Sequence, residues 1–246
     1  MKVSFVFILA VLIPTLSFSQ GNQVASIANV SGANNASTAA SSLNAKRILP
    51  LFGGGSKSSA QIDEEITFLS ECDKSFGSRK EASEFFSARA WEYLQEGSLD
   101  TACYRFNLAN LLDDKNIEPY WGLGVVSYQR EHWAEAKQML SKGVKISNDN
   151  VALLVDLSTV DLKLYTLNNQ MEDLDESLNL LNRAYAIDPN YSLAAYNLST
   201  AYFHKNDYEK AWEYLHKGRN LDFSGISLDF IELLKAKLPD PSGFFK

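Results

Sequence analysis

From residue 61 to residue 238 the chain repeats one theme: large apolar side chains every three or four positions, with polar residues between them. That spacing gathers the apolar set on one face of a helix. Ile62, Ile66, Leu69 and Cys72 or Asp73 make the first such stripe, and Gly77 stands where that helix should end. Ser78 followed by Glu81 offers a capping box for the next helix. Proline and glycine then fall mostly at the joints, and Pro239 closes the last helix. No alternating run reads as a strand. The pattern predicts an all-α protein.

The stripes are themselves repetitive. Units 83–116, 117–150 and 192–225 each have 34 residues, while 151–191 carries seven more. Small residues recur in register: Ala90, Gly124, Ser158 and Ser199 in the first helices, Ala102, Ala136, Ser177 and Ala211 in the second. A third set, Ala109, Gly143, Ala184 and Gly218, follows seven residues later. Helices approach to about 8–10 Å only where contact residues are small. Phe106, Leu140, Leu181 and Leu215, then Leu112, Ile146, Ile187 and Leu221, are expected to fill the space around them. Leu99, Trp133, Leu174 and Tyr208 should open each second helix. The extra residues of the third unit fall around Thr166 to Glu172, as a loop or as an added turn on both helices.

This arrangement resembles the tetratricopeptide repeat (TPR) family, whose 34-residue helix–turn–helix units stack into a right-handed superhelix. The fourth unit matches best, through Tyr202, Asp207, Tyr208 and Ala211, and the third carries "AIDPN", Ala186 to Asn190, the family's unit-ending turn. Arg89 stands where leucine is usual, Ser177 where alanine is, and only the third unit keeps the terminal proline. The resemblance implies a superhelical solenoid of about four units in a domain at 78–238, with capping helices at 61–77 and 226–238. Leu228, Ile231, Leu234 and Leu238 form the stripe of the second cap, and 239–246 is left as a tail.

A second stripe runs beside the core stripe in each first helix: Ser87, Trp91, Leu94; Trp121, Val125, Tyr128; Val155, Thr159, Leu162; Tyr196, Thr200, Phe203. In the resembled family this stripe lines a concave groove that holds partner peptides or helices. The resemblance therefore implies a non-catalytic protein-binding scaffold or adaptor. Its partner-binding set is Trp91, Leu94, Trp121, Val125, Tyr128, Tyr196, Thr200 and Phe203. So apolar a face must be covered by something. Three coverings stand open: neighbouring first helices, a partner's segment, or residues 47–52 of the chain itself. The other class of function is a structural or self-associating spacer, its groove filled internally or by another copy. Chaperone-docking relatives grip a carboxylate with Lys and Asn; here Ser87, Trp91, Gly122, Ala152 and Asp156 hold those places, so no such clamp is expected. Tyr202 and Tyr208 sit at packing positions within their unit, as Tyr93 and Trp133 do.

The chain's start reads differently. Lys2, the apolar run Val3 to Ile13, and Ser17 and Ser19 describe an export signal at 1–19. Eleven residues reach about 16 Å as a helix, half of a ~30 Å hydrocarbon core, so no lasting membrane anchor is expected. The expected destination is the bacterial periplasm or the outside of the cell. Residues 20–60 read as a low-complexity linker, with Asn29 and Asn35 in N-glycosylation patterns and one apolar island, "RILPLF", Arg47 to Phe52. The island is either a strap on the domain or a short docking peptide.

Charge and chemistry narrow the function further. The net charge of −7 disfavours nucleic acid. Cys72 and Cys103 are a candidate disulfide, worth about 3–4 kcal/mol in the loop-entropy model, or two small buried apolar residues. His132, His204 and His216 stand apart, with no metal-ligand spacing and no nucleophile motif. No enzyme activity, cofactor or metal is expected.

Overall fold

The computed structural model describes residues 45–246. The expected signal at 1–19, linker residues 20–44, Asn29 and Asn35 lie outside the described residues. Among the described residues every regular element is helical. After a 3-10 turn at Pro50–Gly53 come α1 (Ser59–Ser75), α2 (Arg79–Gln95), α3 (Leu99–Leu112), α4 (Ile117–Gln129) and α5 (Trp133–Ile146). They continue as α6 (Val151–Asn168), α7 (Met171–Ile187), α8 (Ser192–His204), α9 (Tyr208–Leu221) and α10 (Leu228–Lys237). Helices α2 to α9 pack as four antiparallel pairs, each second helix also touching the next first helix. Among non-sequential pairs, α2 meets α4 and α6 meets α8, so the first helices line the closer-packed, inner side.

Local chemistry explains the joints. A left-handed residue reverses the chain between the helices of every pair: Gly97, Glu131, Asn169 and Asn206. Glycine and asparagine suit that conformation, and Glu131 holds it against its own propensity. Side-chain oxygens of Asn116, Asn150 and Asp207 accept from backbone N–H groups in the first turns of α4, α6 and α9. Ser78 accepts from Glu81 N at 3.1 Å, but the Glu81 carboxylate turns to Gly77 N instead of closing the box. The reciprocal box belongs to Ser58 and Gln61, at the start of α1.

All twelve recurring small residues are buried. A Cβ built on Gly124 would stand 2.5 Å from Leu140 Cγ, and one on Gly122 would stand 2.0 Å from Phe106 Cζ. Any side chain at 122 must displace that phenylalanine, an overpacking cost of about 1–3 kcal/mol. Ser177 and Ser199 keep the close approach while donating to the carbonyls of Ser158 and Ala211. Second helices α3, α5 and α9 begin at Leu99, Trp133 and Tyr208. The third pair departs because its extra residues lengthen both helices rather than the loop. α6 has 18 residues where α4 and α8 have 13. It overreaches them by about 7 Å at 1.5 Å per residue.

Several expectations need correction. Of the last apolar position in each second helix only Leu112 is buried, whereas Ile146, Ile187 and Leu221 are exposed. These sit where the helix ends and the chain turns away from the core. Leu228, expected on the cap's inner stripe, is 73% exposed, while Ile231 and Leu234 are buried and Leu238 packs partly buried against the same cluster. Cys72 and Cys103 are free thiols, buried in separate apolar clusters. Burial pushes both thiols up, Cys103 to about 12.

Residues 45–60 are not a free linker. Pro50 is buried and Leu51 packs on the core of the first two pairs. Nor is 239–246 a loose tail. It folds back so that Phe245 stacks on Trp212 and His216, at 6.0 and 5.8 Å between ring centres.

Candidate functional site: the inner face

The inner stripe is largely a helix–helix contact. Trp91, Leu94, Trp121 and Val125 are all buried, with Val125 fully enclosed. Trp91 and Trp121 meet edge to face at 5.8 Å, and Trp91 also meets Phe106 at 5.1 Å. Each indole N–H finds a carboxylate on the next first helix: Trp91 Nε1 donates to Glu118 at 2.7 Å, Trp121 Nε1 to Asp156 at 2.6 Å. A buried indole N–H needs a partner, and this one ties unit to unit.

Tyr196 is clamped rather than displayed. Its ring lies flat against Gly218 and Gly225, where an added Cβ would come within 2.8 and 2.6 Å, and its hydroxyl donates to the Asp222 carbonyl. Of the eight residues assigned to partner binding, Tyr128, Thr200 and Phe203 retain partial exposure. Neighbouring first helices therefore cover most of the stripe. Residues 47–52 do not fill it; they lie on α3 and the end of α4.

What stays open is the edge of this face. Tyr128 packs edge to face on Trp133 at 4.8 Å, and the Lys163 ammonium sits 5.1 Å above the Trp133 ring. Beside them the overreaching end of α6 bounds an open hollow of about 480 Å³, lined by His132, Trp133, Glu135, Leu164, Leu167 and others. Leu167 is 54% exposed and Met171, opening α7, 44%. Further along, Phe203 and His204 meet Tyr165, Tyr208 and Phe230. The repeat comparison pointed to this region only through the seven-residue insertion.

Two carboxylate groups behind the face were missed by sequence reasoning. Burial raises Asp156 to about 7, opposed by its one donor, the Trp121 indole. Burial raises Glu118 in the same way. The signal available was an acid one helix on from each tryptophan at an apolar position, which periodicity alone does not distinguish from a solvated charge.

Asp161, Asp173 and Glu176 form a second acidic cluster of metal-ligand geometry. Lys137 Nζ already stands among them at 2.9, 2.7 and 2.7 Å, so an ammonium holds the place a cation would take. Burial opposes the charge on Lys137, yet its three carboxylate partners hold its pKa above that of an ordinary lysine. Burial likewise lifts Asp161 to about 6, with Lys137 pulling the other way. The three histidines lie on separate elements: His132 beside Glu135, His204 against Tyr165, His216 against Asp240. His216 Nε2 also meets Ser242 Oγ at 2.8 Å.

Stacked helix pairs with a shared inner face define a helical-repeat solenoid. The tetratricopeptide repeat model matches residues 169–224, the third pair's end and the fourth pair. Human tetratricopeptide repeat protein 6 is 28% identical over 127 residues, covering 52% of this chain and 23% of that protein. The match thus spans about a quarter of the length of that relative. A MamA structure from Desulfovibrio magneticus RS-1 superposes with a TM-score of 0.53 at 19% identity, covering 63% of this chain and 82% of that one. A thermophilic TPR protein of Thermus thermophilus gives 0.51 at 17% identity, covering 57% and 74%. Residues 169–224 thus carry a tetratricopeptide repeat match, and the described helices share the fold of solved tetratricopeptide repeat proteins.

Proposed function

We propose that the protein is an exported, non-catalytic scaffold that captures a peptide or helix of another protein along the edge of its inner face. Tetratricopeptide proteins generally mediate protein–protein contacts, and that coarse role is this chain's as well. The finer reading rests on one observation: the lengthened third pair leaves Leu167 at the end of α6 and Met171 at the start of α7 exposed, beside the hollow that Trp133 and Leu164 line. Apolar groups held out on a rigid helix, next to an aromatic pair and a lysine, suit an amphipathic segment with an acidic flank. Export follows the pattern of residues 1–19, and among the described residues no helix is long and apolar enough to cross a membrane.

A photoreactive residue at Leu167, and separately at Tyr128, tests this in the producing cell. Adducts to another protein at both positions are expected. Adducts confined to a second copy of the chain would favour the spacer reading instead. That reading has its own support, because apolar groups are exposed at both ends: Ile62, Ile66 and Phe85 at one, Phe223, Leu228 and Leu233 at the other. No adducts at either position would remove the edge from consideration.

A further inference from the structure

Residues 47–52 are held to the helices by side chains that bind their backbone. Asn107, itself 1% exposed, accepts from Leu51 N at 2.7 Å and donates to the carbonyls of Arg47 and Leu49 at 3.0 and 2.8 Å. Arg130 donates to the Ile48 carbonyl at 2.7 Å while pairing with Asp100. Two side chains thus satisfy four backbone groups of a six-residue segment that shares no helix or ladder with its seat. Arg47 and Phe52 flank the Tyr104 ring, at 5.5 and 6.5 Å. Pro50 is buried, with Leu51 reaching into the core beside it. Main-chain contacts with a few side-chain pockets are how proteins hold peptides.

The attachment also looks made to open. Leu51 and Phe52 both sit in the left-handed region, at φ 51° and 56°, which neither residue favours on its own. The next three residues are Gly53, Gly54 and Gly55, all at positive φ, and nothing crowds the last two. A hinge follows the segment, and strain within it is relieved on release.

We propose that residues 47–52 are a detachable ligand: the surface that Tyr104 and Asn107 of α3 build with Arg130 at the end of α4 is a peptide-docking site that the chain's own segment fills in cis. Its specificity is for a proline flanked by leucines with an aromatic after them. This site lies apart from the inner face, so it stands whether or not that face binds a partner.

The test uses the full chain and a labelled synthetic peptide of residues 45–55, read by fluorescence anisotropy. In the natural chain the cis segment competes at high effective concentration, so the peptide binds poorly. Weakening that segment with Pro50→Ala and Leu51→Ser should tighten peptide binding by about tenfold or more. Adding Asn107→Ala should abolish that gain while circular dichroism shows the helices intact. Equal binding to the natural and weakened chains, or binding indifferent to Asn107, overturns the proposal. Should the weakened chain lose its helices, the segment is part of the folding core and the proposal fails. Hydrogen exchange on the unaltered chain gives an independent reading. The Leu51 amide should exchange about 100-fold faster than that of Phe106, since local opening precedes global unfolding. Equal protection of the two amides would show a segment that never leaves.

Discussion

Asp156 on the inner face and Asp240 in the C-terminal turn are both shut away from solvent, yet their protonation is pushed in opposite directions. Asp156 has a single donor, the Trp121 indole at 2.6 Å, and burial wins: its pKa rises to about 7. Asp240 is also penalised by burial, but it accepts from the amides of Ser242, Phe244 and Phe245 and from His216, all at 2.8–2.9 Å. Those donors hold it well below the usual carboxylate range. Four donors outweigh burial at Asp240, and one does not at the more deeply enclosed Asp156. The C-terminal turn is a completed closure of the solenoid's end; the inner face leaves its carboxylate short of partners.

The largest break in this comparison is Asp240→Ala. It strands three backbone amides and His216 in a site where the side chain is 1% exposed. Loss of a charged acceptor whose donors are partly exposed should cost about 2 kcal/mol. Chemical denaturation measures this, and Phe245 should leave the Trp212 ring, raising the accessibility of that indole to a quencher. A loss below about 0.5 kcal/mol, within the range of an ordinary surface change, would mean the turn hangs on the domain without closing it.

Next comes the pH dependence. A carboxyl whose folded pKa is raised binds its proton more tightly in the native state. Asp156 therefore adds stability in acid that is lost as pH rises from about 4 to about 7. Asp240, depressed, works the other way, its stability lost as pH falls below the ordinary carboxylate range. Asp156→Asn keeps an acceptor for the Trp121 indole and removes the titration. The decline in stability between about pH 4 and 7 should flatten, leaving the variant at least as stable as the natural chain at pH 8. An unchanged pH profile would place water or another donor at Asp156.

The same contrast shows what was readable from the sequence. Repetition exposes positions that every unit must fill alike, so the small residues from Ala90 to Gly218 and the helix starts Leu99, Trp133 and Tyr208 were legible. Features occurring once were not. Periodicity reads Asp156 and Asn107 as polar residues on a helix; only the fold supplies an indole to one and a peptide to the other. The stripe from Trp91 to Phe203 was correctly seen as apolar, but whether a neighbour covers it depends on how closely α2, α4, α6 and α8 pack. That spacing is a tertiary quantity which no single helix encodes. The closure around Asp240 needs a chain reversal through Pro239 and Pro241, and the tail's polar composition resembles that of an unstructured end.

The smallest effect sharpens the comparison most. Asn107 is at least as buried as Asp240 and makes as many backbone contacts, so contact counting alone predicts at least as large a penalty for losing it. Asn107 is neutral, however, and its partners belong to a segment that can leave. On Asn107→Ala the amide of Leu51 and the carbonyls of Arg47 and Leu49 need not stay buried and unpaired, because the segment can swing out about Gly53 to Gly55 and be hydrated. The cost is then limited to the docking energy of a short segment, about 1 kcal/mol in global stability, where Asp240→Ala forces its losses on the folded state. Parallel urea titrations of the two variants would measure the gap. Equal losses would mean that residues 47–52 are as firmly built in as the C-terminal turn, and that the two ends of the solenoid are closed by the same physics.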